Sequence, residues 1–260
     1  MNMISRAAFL TKSSFSTILE RWRTTAQKPR RTFLYSRKAR LLFSALNMEV
    51  VPAILAENYN DLILRVRQAE AFAQYVQIDC MDGLFVPTKS VEPEAISLLK
   101  TSLSFELHLM VQTPSFFMDE VQNQGLKKVL FHFEADVDHP AFMKALNERG
   151  IRAGLAISPE TRTADFVEAA SLADTLLFLT VSPGRYGSPF KPEVLEKVKD
   201  ARYRFPGKLI AVDGGVSLDN LKSFVNLGVD YVCVGSRIFL DKDPSENYRR
   251  FVEEVKRLSR

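Results

Sequence analysis

From residue 49 onward the chain alternates between two kinds of hydrophobic run. Short runs rich in β-branched and aromatic residues recur at 50–55, 75–79, 104–110, 127–132, 152–157, 175–181, 208–213 and 230–234. Between them lie longer amphipathic stretches, at about 59–73, 91–100, 114–123, 139–149, 163–172, 191–203, 217–226 and 244–258. The short runs predict strands and the longer ones helices. Thr175–Val181 is apolar almost throughout, and a strand of that kind is buried on both faces, as in a parallel sheet.

Strands that alternate with helices build parallel βαβ units. Eight units in the 213 residues from Met48 average about 27 each, and eight is the number that closes a barrel. The expected fold is a (β/α)8 TIM barrel over 48–260. A doubly wound open sheet is the rival. It requires a Gly-rich dinucleotide turn after the first strand, and Ala53-Ile54-Leu55-Ala56-Glu57 is no such turn.

Charge divides the chain. Residues 1–47 hold ten Lys or Arg against one acid, Glu20, and so carry +9, whereas the remainder holds 25 basic and 30 acidic residues and carries −5. The high isoelectric point belongs to the tail and is no argument for nucleic acid as a partner. An Arg-rich, Ser/Thr-rich, acid-poor segment fits an organellar transit peptide. The other reading starts translation at Met48 and leaves the tail as an upstream over-extension or a disordered arm. On either reading a chain beginning at Met48 is expected to fold fully. The location expected is cytoplasmic, or mitochondrial or plastid if the tail is a transit peptide. No apolar run approaches the roughly 18 residues of a membrane span. Cys80 and Cys233 lie far apart, each in an apolar stretch, which reads as two reduced core thiols.

In a barrel of this kind chemistry sits where strands end and βα loops begin. The second strand ends Gln77-Ile78-Asp79-Cys80-Met81-Asp82-Gly83 and the third Glu106-Leu107-His108-Leu109-Met110. The seventh ends Val212-Asp213-Gly214-Gly215 and the eighth Val234-Gly235-Ser236. Asp79 and Asp213 each close a hydrophobic strand, where a carboxylate has water on one side and core on the other and can be tuned for proton transfer. A lone Asp there can equally cap a helix or pair with Lys; two of them with a histidine on one rim favour function. His108 reads either as a satisfied core histidine or as a metal ligand. Glu106 shares its strand face and could support it. Gly184, Gly187, Gly214, Gly215, Gly235 and Ser236 follow strands six, seven and eight, where glycine turns let a phosphate approach backbone N–H groups.

These strings resemble the ribulose-phosphate 3-epimerase family across residues 49–258. Met81-Asp82-Gly83-Leu84-Phe85-Val86-Pro87 is similar to that family's Met-Asp-Gly-His-Phe-Val-Pro loop. His108-Leu109-Met110, His132-Phe133-Glu134-Ala135, Ser182-Pro183-Gly184 and Val212-Asp213-Gly214-Gly215-Val216 match in order and spacing. The resemblance implies an isomerase of the pentose phosphate pathway that interconverts D-ribulose 5-phosphate and D-xylulose 5-phosphate at C3. It implies Asp79 and Asp213 as the acid/base pair, and Gln77, Asp79, His108 and Asp213 at the positions of the ligands to a divalent metal (Zn, Fe, Mn or Co). It places Met81 and Met110 against the intermediate and the phosphate on the Gly214-Gly215 and Gly235-Ser236 turns, with loop 184–187 over the substrate. The expected partner is a small phosphorylated ketose, not nucleic acid or membrane, and the expected assembly is a homo-oligomer.

Three departures matter. The family's first metal ligand is His where this chain has Gln77, a poor substitute for imidazole on zinc. Its substrate-contacting Ser is here Ala53. Its Phe-Gly in the phosphate loop is here Arg185-Tyr186, and Arg185 either meets the phosphate or is a solvated loop residue. These departures keep two alternatives open: a ketohexose 6-phosphate 3-epimerase, and a phosphosugar-binding homologue with weakened catalysis. The Asp-x-Lys-x-x-Asp string of the related decarboxylases is missing.

Overall fold

The computed structural model describes residues 48–259 apart from 185–186 and 241–242. The basic tail and Arg185-Tyr186, and the readings attached to them above, lie outside the described residues. The strands are β1 (Glu49–Leu55), β2 (Tyr75–Met81), β3 (Ser104–Met110), β4 (Leu126–His132), β5 (Arg152–Ile157), β6 (Thr175–Leu179), β7 (Leu209–Asp213) and β8 (Tyr231–Val234). All pair in parallel and in chain order, and β8 returns to β1 to close the barrel. The expected (β/α)8 fold is what the chain adopts.

Side-chain alternation along the strands sorts the residues between two environments. Val76, Ile78 and Cys80 on β2, Phe105, Leu107 and Leu109 on β3, and Val129 and Phe131 on β4 pack outward into the main apolar core under the helices. Their partners of opposite parity, Gln77, Asp79, Glu106, His108, Lys128 and His132, face the barrel interior and are buried there. Each fully buried Phe or Leu of the outer layer is worth about 1.5–3 kcal/mol of transfer free energy. That layer holds the barrel shut and lets the interior carry polar groups.

The helices are α1 (Tyr59–Glu70), α2 (Pro93–Leu98), α3 (Pro114–Asp119), α4 (His139–Glu148), α5 (Thr163–Leu172), α6 (Val194–Arg204), α7 (Leu221–Asn226), α8 (Ser236–Phe239) and α9 (Pro244–Leu258). α1 starts where the Asn58 side chain accepts from the Asp61 N–H, and α9 where Asp243 accepts from Glu246 N–H, with Pro244 at the first turn. Three helices fall furthest short of the amphipathic pattern. Pro93 has no N–H to continue a ladder backwards, so α2 begins there and not at 91. α3 stops at Asp119, short of 123. Ser217–Asn220 is a turn in which the Asn220 side chain accepts from Ser217 N–H (2.8 Å) and donates to the Gly215 carbonyl (2.9 Å), which delays α7. The four-residue α8, right after Gly235, is not foreseen by periodicity.

Candidate active site

The expected residues converge at the C-terminal ends of the strands. β2 brings Gln77 and Asp79, β3 His108, and β7 Asp213. The Gln77 Nε2 donates to Asp79 Oδ1 (2.9 Å) and to Asp213 Oδ2 (2.8 Å), so one amide bridges two carboxylates that lie 134 positions apart in sequence. His108 Nδ1 lies 3.1 Å from Asp79 Oδ1 and 3.2 Å from Asp213 Oδ2, making a second bridge. Behind Gln77, the Cys233 thiol donates to the amide Oε1 at 3.0 Å.

Burial and the hydrogen bonds that oppose it set the protonation behaviour together. Burial pushes the Asp79 carboxyl up, with the Asp213 charge acting in the same direction and hydrogen bonds from His108 and Gln77 opposing. For His108 burial opposes the charged form, but hydrogen bonds to Asp213 and Asp79 and their negative charge prevail and lift the imidazole to about 9. His108 is therefore an imidazolium at neutral pH, with both ring nitrogens donating. Its Nε2 meets His132 Nε2 at 3.1 Å. Burial lowers His132, so that ring is neutral: Nε2 accepts from His108 and Nδ1–H donates to Glu134 Oε2 at 3.1 Å. Burial alone would raise Glu134; the His132 hydrogen bond, with Thr161 and the Ser158 N–H, holds it down at about 2.

Asp79, His108 and Asp213 offer donor atoms that all lie within 4.8 Å of one another. Two carboxylate oxygens and an imidazole suit a divalent cation, which would take the place of the proton on His108. Gln77 does not fit as a fourth ligand in its present orientation. Carboxylates only accept hydrogen bonds, so the amide turns its N–H2 to them and its carbonyl away, towards Cys233.

The same cleft, about 510 Å³, is lined by Asp79, His108 and Asp213 and by Gly184, Gly187, Gly214, Gly215, Gly235 and Ser236. Gly214 needs to be glycine twice over: its φ is +95°, and a Cβ would fall 2.3 Å from Val181 Cγ2. Met81 and Met110 pack with Val86, Leu55 and Phe85 into a small apolar cluster beside the carboxylates. Ser90 Oγ accepts from Met81 N–H (2.9 Å) and donates to the Asp79 carbonyl (3.0 Å), tying down the end of β2. Ala53 also lines the cleft.

One sequence reading is corrected and one is extended. Glu106 does not support His108; one layer below, its Oε2 takes Lys128 Nζ at 2.8 Å and the hydroxyls of Tyr75 and Tyr231. Cys233 is buried and reduced but is more than packing, since its thiol orients Gln77. His132 is legible in the sequence as the end of the fourth strand and as part of a matching string, whereas Arg237, which joins the cleft lining, carries no such mark. Position offers a signal for each: His132 has the inward parity of β4, and Arg237 follows directly on Ser236.

Residues 49–239 match the model of the ribulose-phosphate 3 epimerase family. Among curated proteins, the ribulose-phosphate 3-epimerase of Candida glabrata is 30% identical over 80% of this chain and 92% of its own length. That of Schizosaccharomyces pombe is 28% identical over 76% and 90%, and the cytoplasmic isoform of Oryza sativa 29% over 78% and 92%. Solved structures share the fold at low identity. Salmonella typhimurium 3-hexulose-6-phosphate synthase has a TM-score of 0.61 at 17% identity, covering 81% of this chain and 100% of that one. Vibrio cholerae 3-keto-L-gulonate-6-phosphate decarboxylase has 0.62 at 12%, covering 82% and 99%. No helix among the described residues is long and apolar enough to cross a membrane. With the family model matched along the barrel and relatives at about 30% identity covered nearly end to end, the chain belongs to the ribulose-phosphate 3-epimerase family and is an epimerase-type isomerase.

Proposed function

We propose that the chain interconverts D-ribulose 5-phosphate and D-xylulose 5-phosphate by moving a proton at C3, with Asp79 and Asp213 as the paired acid and base. The observation that carries this reading is the meeting of two carboxylates from β2 and β7 in a cleft that also holds three glycine turns. The turns receive the phosphate on backbone N–H groups, which fixes the sugar with C3 at the carboxylates. Met81 and Met110 exclude water on the apolar side.

Asp79 Oδ1 and Asp213 Oδ2 are engaged by Gln77 and His108. The other oxygens, Asp79 Oδ2 and Asp213 Oδ1, are the ones left for substrate. One of them removes the C3 proton; the C–H electron pair moves into the C2–C3 bond, and the C2 carbonyl oxygen takes up negative charge. The second carboxyl group then delivers a proton to the opposite face of C3 as the C2 carbonyl re-forms. Burial raises the Asp79 carboxyl, which favours it over an ordinary carboxylate as a proton carrier. The His108 imidazolium and the Gln77 N–H2 keep the two carboxylates together and offset their charge. A divalent cation held by Asp79, His108 and Asp213 supplies charge stabilisation to the substrate oxygens when bound; hard ions such as Mn fit this oxygen-rich donor set better than zinc.

The test is to incubate the purified protein with D-ribulose 5-phosphate in heavy water and follow xylulose 5-phosphate and C3 deuterium together by NMR, with a ketohexose 6-phosphate in parallel. Formation of xylulose 5-phosphate with deuterium at C3 supports the reading. Turnover of the ketohexose alone, or binding without exchange, sinks it.

A further inference from the structure

The three side-chain contacts of Gln77 carry more than a lost ligand. Its N–H2 sits 2.9 and 2.8 Å from oxygens of the two carboxylates, and its carbonyl accepts from Cys233 at 3.0 Å; Gln77 and Cys233 are both buried. The amide thus has both donors and one of its two acceptor positions engaged by protein groups. Two buried carboxylates this close to one another repel and call for something positive between them. An N–H2 with both protons on carboxylate oxygens answers that need in part, and the His108 Nδ1, 3.1 and 3.2 Å from the same two oxygens, shares it.

We propose that Gln77 is a built-in substitute for the cation: its amide nitrogen holds Asp79 and Asp213 in register, so that the acid/base pair is assembled whether or not a metal is bound. Gln77 is in this sense a positioning residue. For its carbonyl to serve as a ligand the amide must turn over, losing both charge-assisted bonds and the Cys233 bond and pointing N–H2 at a thiol, which is a weak acceptor. The turned state is disfavoured, and an ion entering the site finds three donors where imidazole would make four. The inference rests on the proposed function only in taking Asp79 and Asp213 as the working pair.

The experiment compares the full chain with Gln77→His and Gln77→Glu. Each protein is stripped with chelator, titrated calorimetrically with Co(II), and melted with and without the ion. No substrate is present, so the outcome is separate from whether ribulose 5-phosphate turns over. Gln77→His supplies a fourth donor and is expected to bind Co(II) about 100-fold more tightly than the parent, since losing even an outer-shell partner of a metal site costs 10–100-fold. Gln77→Glu keeps the shape but replaces the bridging N–H2 with a third carboxylate. It is expected to melt well below the parent when stripped and to recover with Co(II), while the parent melts at the same temperature with and without chelator. Parent affinity equal to that of Gln77→His, a chelator-dependent parent melting point, or a stripped Gln77→Glu as stable as the parent would each overturn the proposal.

Discussion

The barrel interior buries charge at two levels, and the two are built on different terms. At the floor, Glu106 Oε2 takes Lys128 Nζ (2.8 Å) and the hydroxyls of Tyr75 (3.1 Å) and Tyr231 (3.2 Å), and Lys128 also donates to Tyr231 Oη at 3.0 Å. One positive and one negative group cancel, none of the four lines the cleft, and burial pushes both tyrosine hydroxyls up, so they stay donors. Two residues further along the strands, at the rim, two carboxylates face a single imidazolium and a neutral amide. Each keeps one oxygen outside that network, and both residues line the cleft. A balanced, enclosed network can only hold shape. An unbalanced one, open on one side, has capacity left for a substrate or an ion.

The comparison breaks most sharply if the rim aspartates prove structural. Asp79→Asn and Asp213→Asn are each expected to lower turnover by about 10²–10⁴-fold, the range of a positioned acid or base, while the circular dichroism spectrum and melting temperature stay near the parent's. Removing one of two like buried charges relieves repulsion and leaves no stability to lose on that account. In heavy water one mutant can still exchange the C3 proton without inverting the centre. Near-normal xylulose 5-phosphate formation by either Asn variant would end the two-aspartate assignment.

At the floor the signs reverse. Lys128→Met leaves Glu106 buried without its counter-charge and is expected to destabilise by about 3–5 kcal/mol, a large part of a typical domain's margin. Turnover per folded molecule should be unchanged. The double variant Glu106→Met/Lys128→Met removes both charges, and most of the stability should return, as read by urea denaturation. If the double variant were as unstable as the single one, the floor would matter for something other than charge balance.

How far the sequence shows all this depends on which interactions are local. The strand periods and the length of the units are local, and the barrel follows from them. Asp79, His108 and Asp213 are legible because the C-terminal part of an apolar strand is an unusual place for a titratable group, and Asp213 is followed directly by two glycines. The floor is not legible. Lys127 and Lys128 are adjacent in sequence, and nothing in the string tells which one turns inward to a glutamate on the neighbouring strand. Glu106 reads as an aid to His108 by parity alone; the competition it loses is to a Lys on β4 and tyrosines on β2 and β8, which only closure of the barrel brings near. Cys233 and Gln77 are 156 positions apart, and a cysteine in an apolar strand gives no sign of the side chain it will meet. The turn that shortens α7 is a side-chain effect of Asn220, invisible to a hydrophobic pattern.

The smallest expected effect sharpens the rim side of the comparison through pH. Glu134 sits at the outer end of the chain that runs from the aspartates through His108 and His132, and its carboxyl is held at about 2 against an ordinary 4.5. A depressed carboxyl adds stability that is fully present above pH 4.5 and is lost as pH falls towards 2. Glu134→Gln keeps the shape and still offers His132 Nδ1–H an oxygen, so only the charge is removed. The Glu134 side chain is 26% exposed, and solvent screening limits the effect to on the order of 1 kcal/mol. Urea midpoints of the parent and Glu134→Gln, measured from pH 6.5 down to 3, should therefore lie furthest apart above pH 5 and draw together as the medium becomes acid. Lys128→Met provides the contrast: it removes a floor charge and leaves the Glu134 carboxyl in place, so its acid sensitivity should follow that of the parent over the same range. A gap between parent and Glu134→Gln that stays constant from pH 6.5 to 3 would mean that the rim carboxylate is not stabilised by its partners, and that the relay from Asp79 to Glu134 ends at His132.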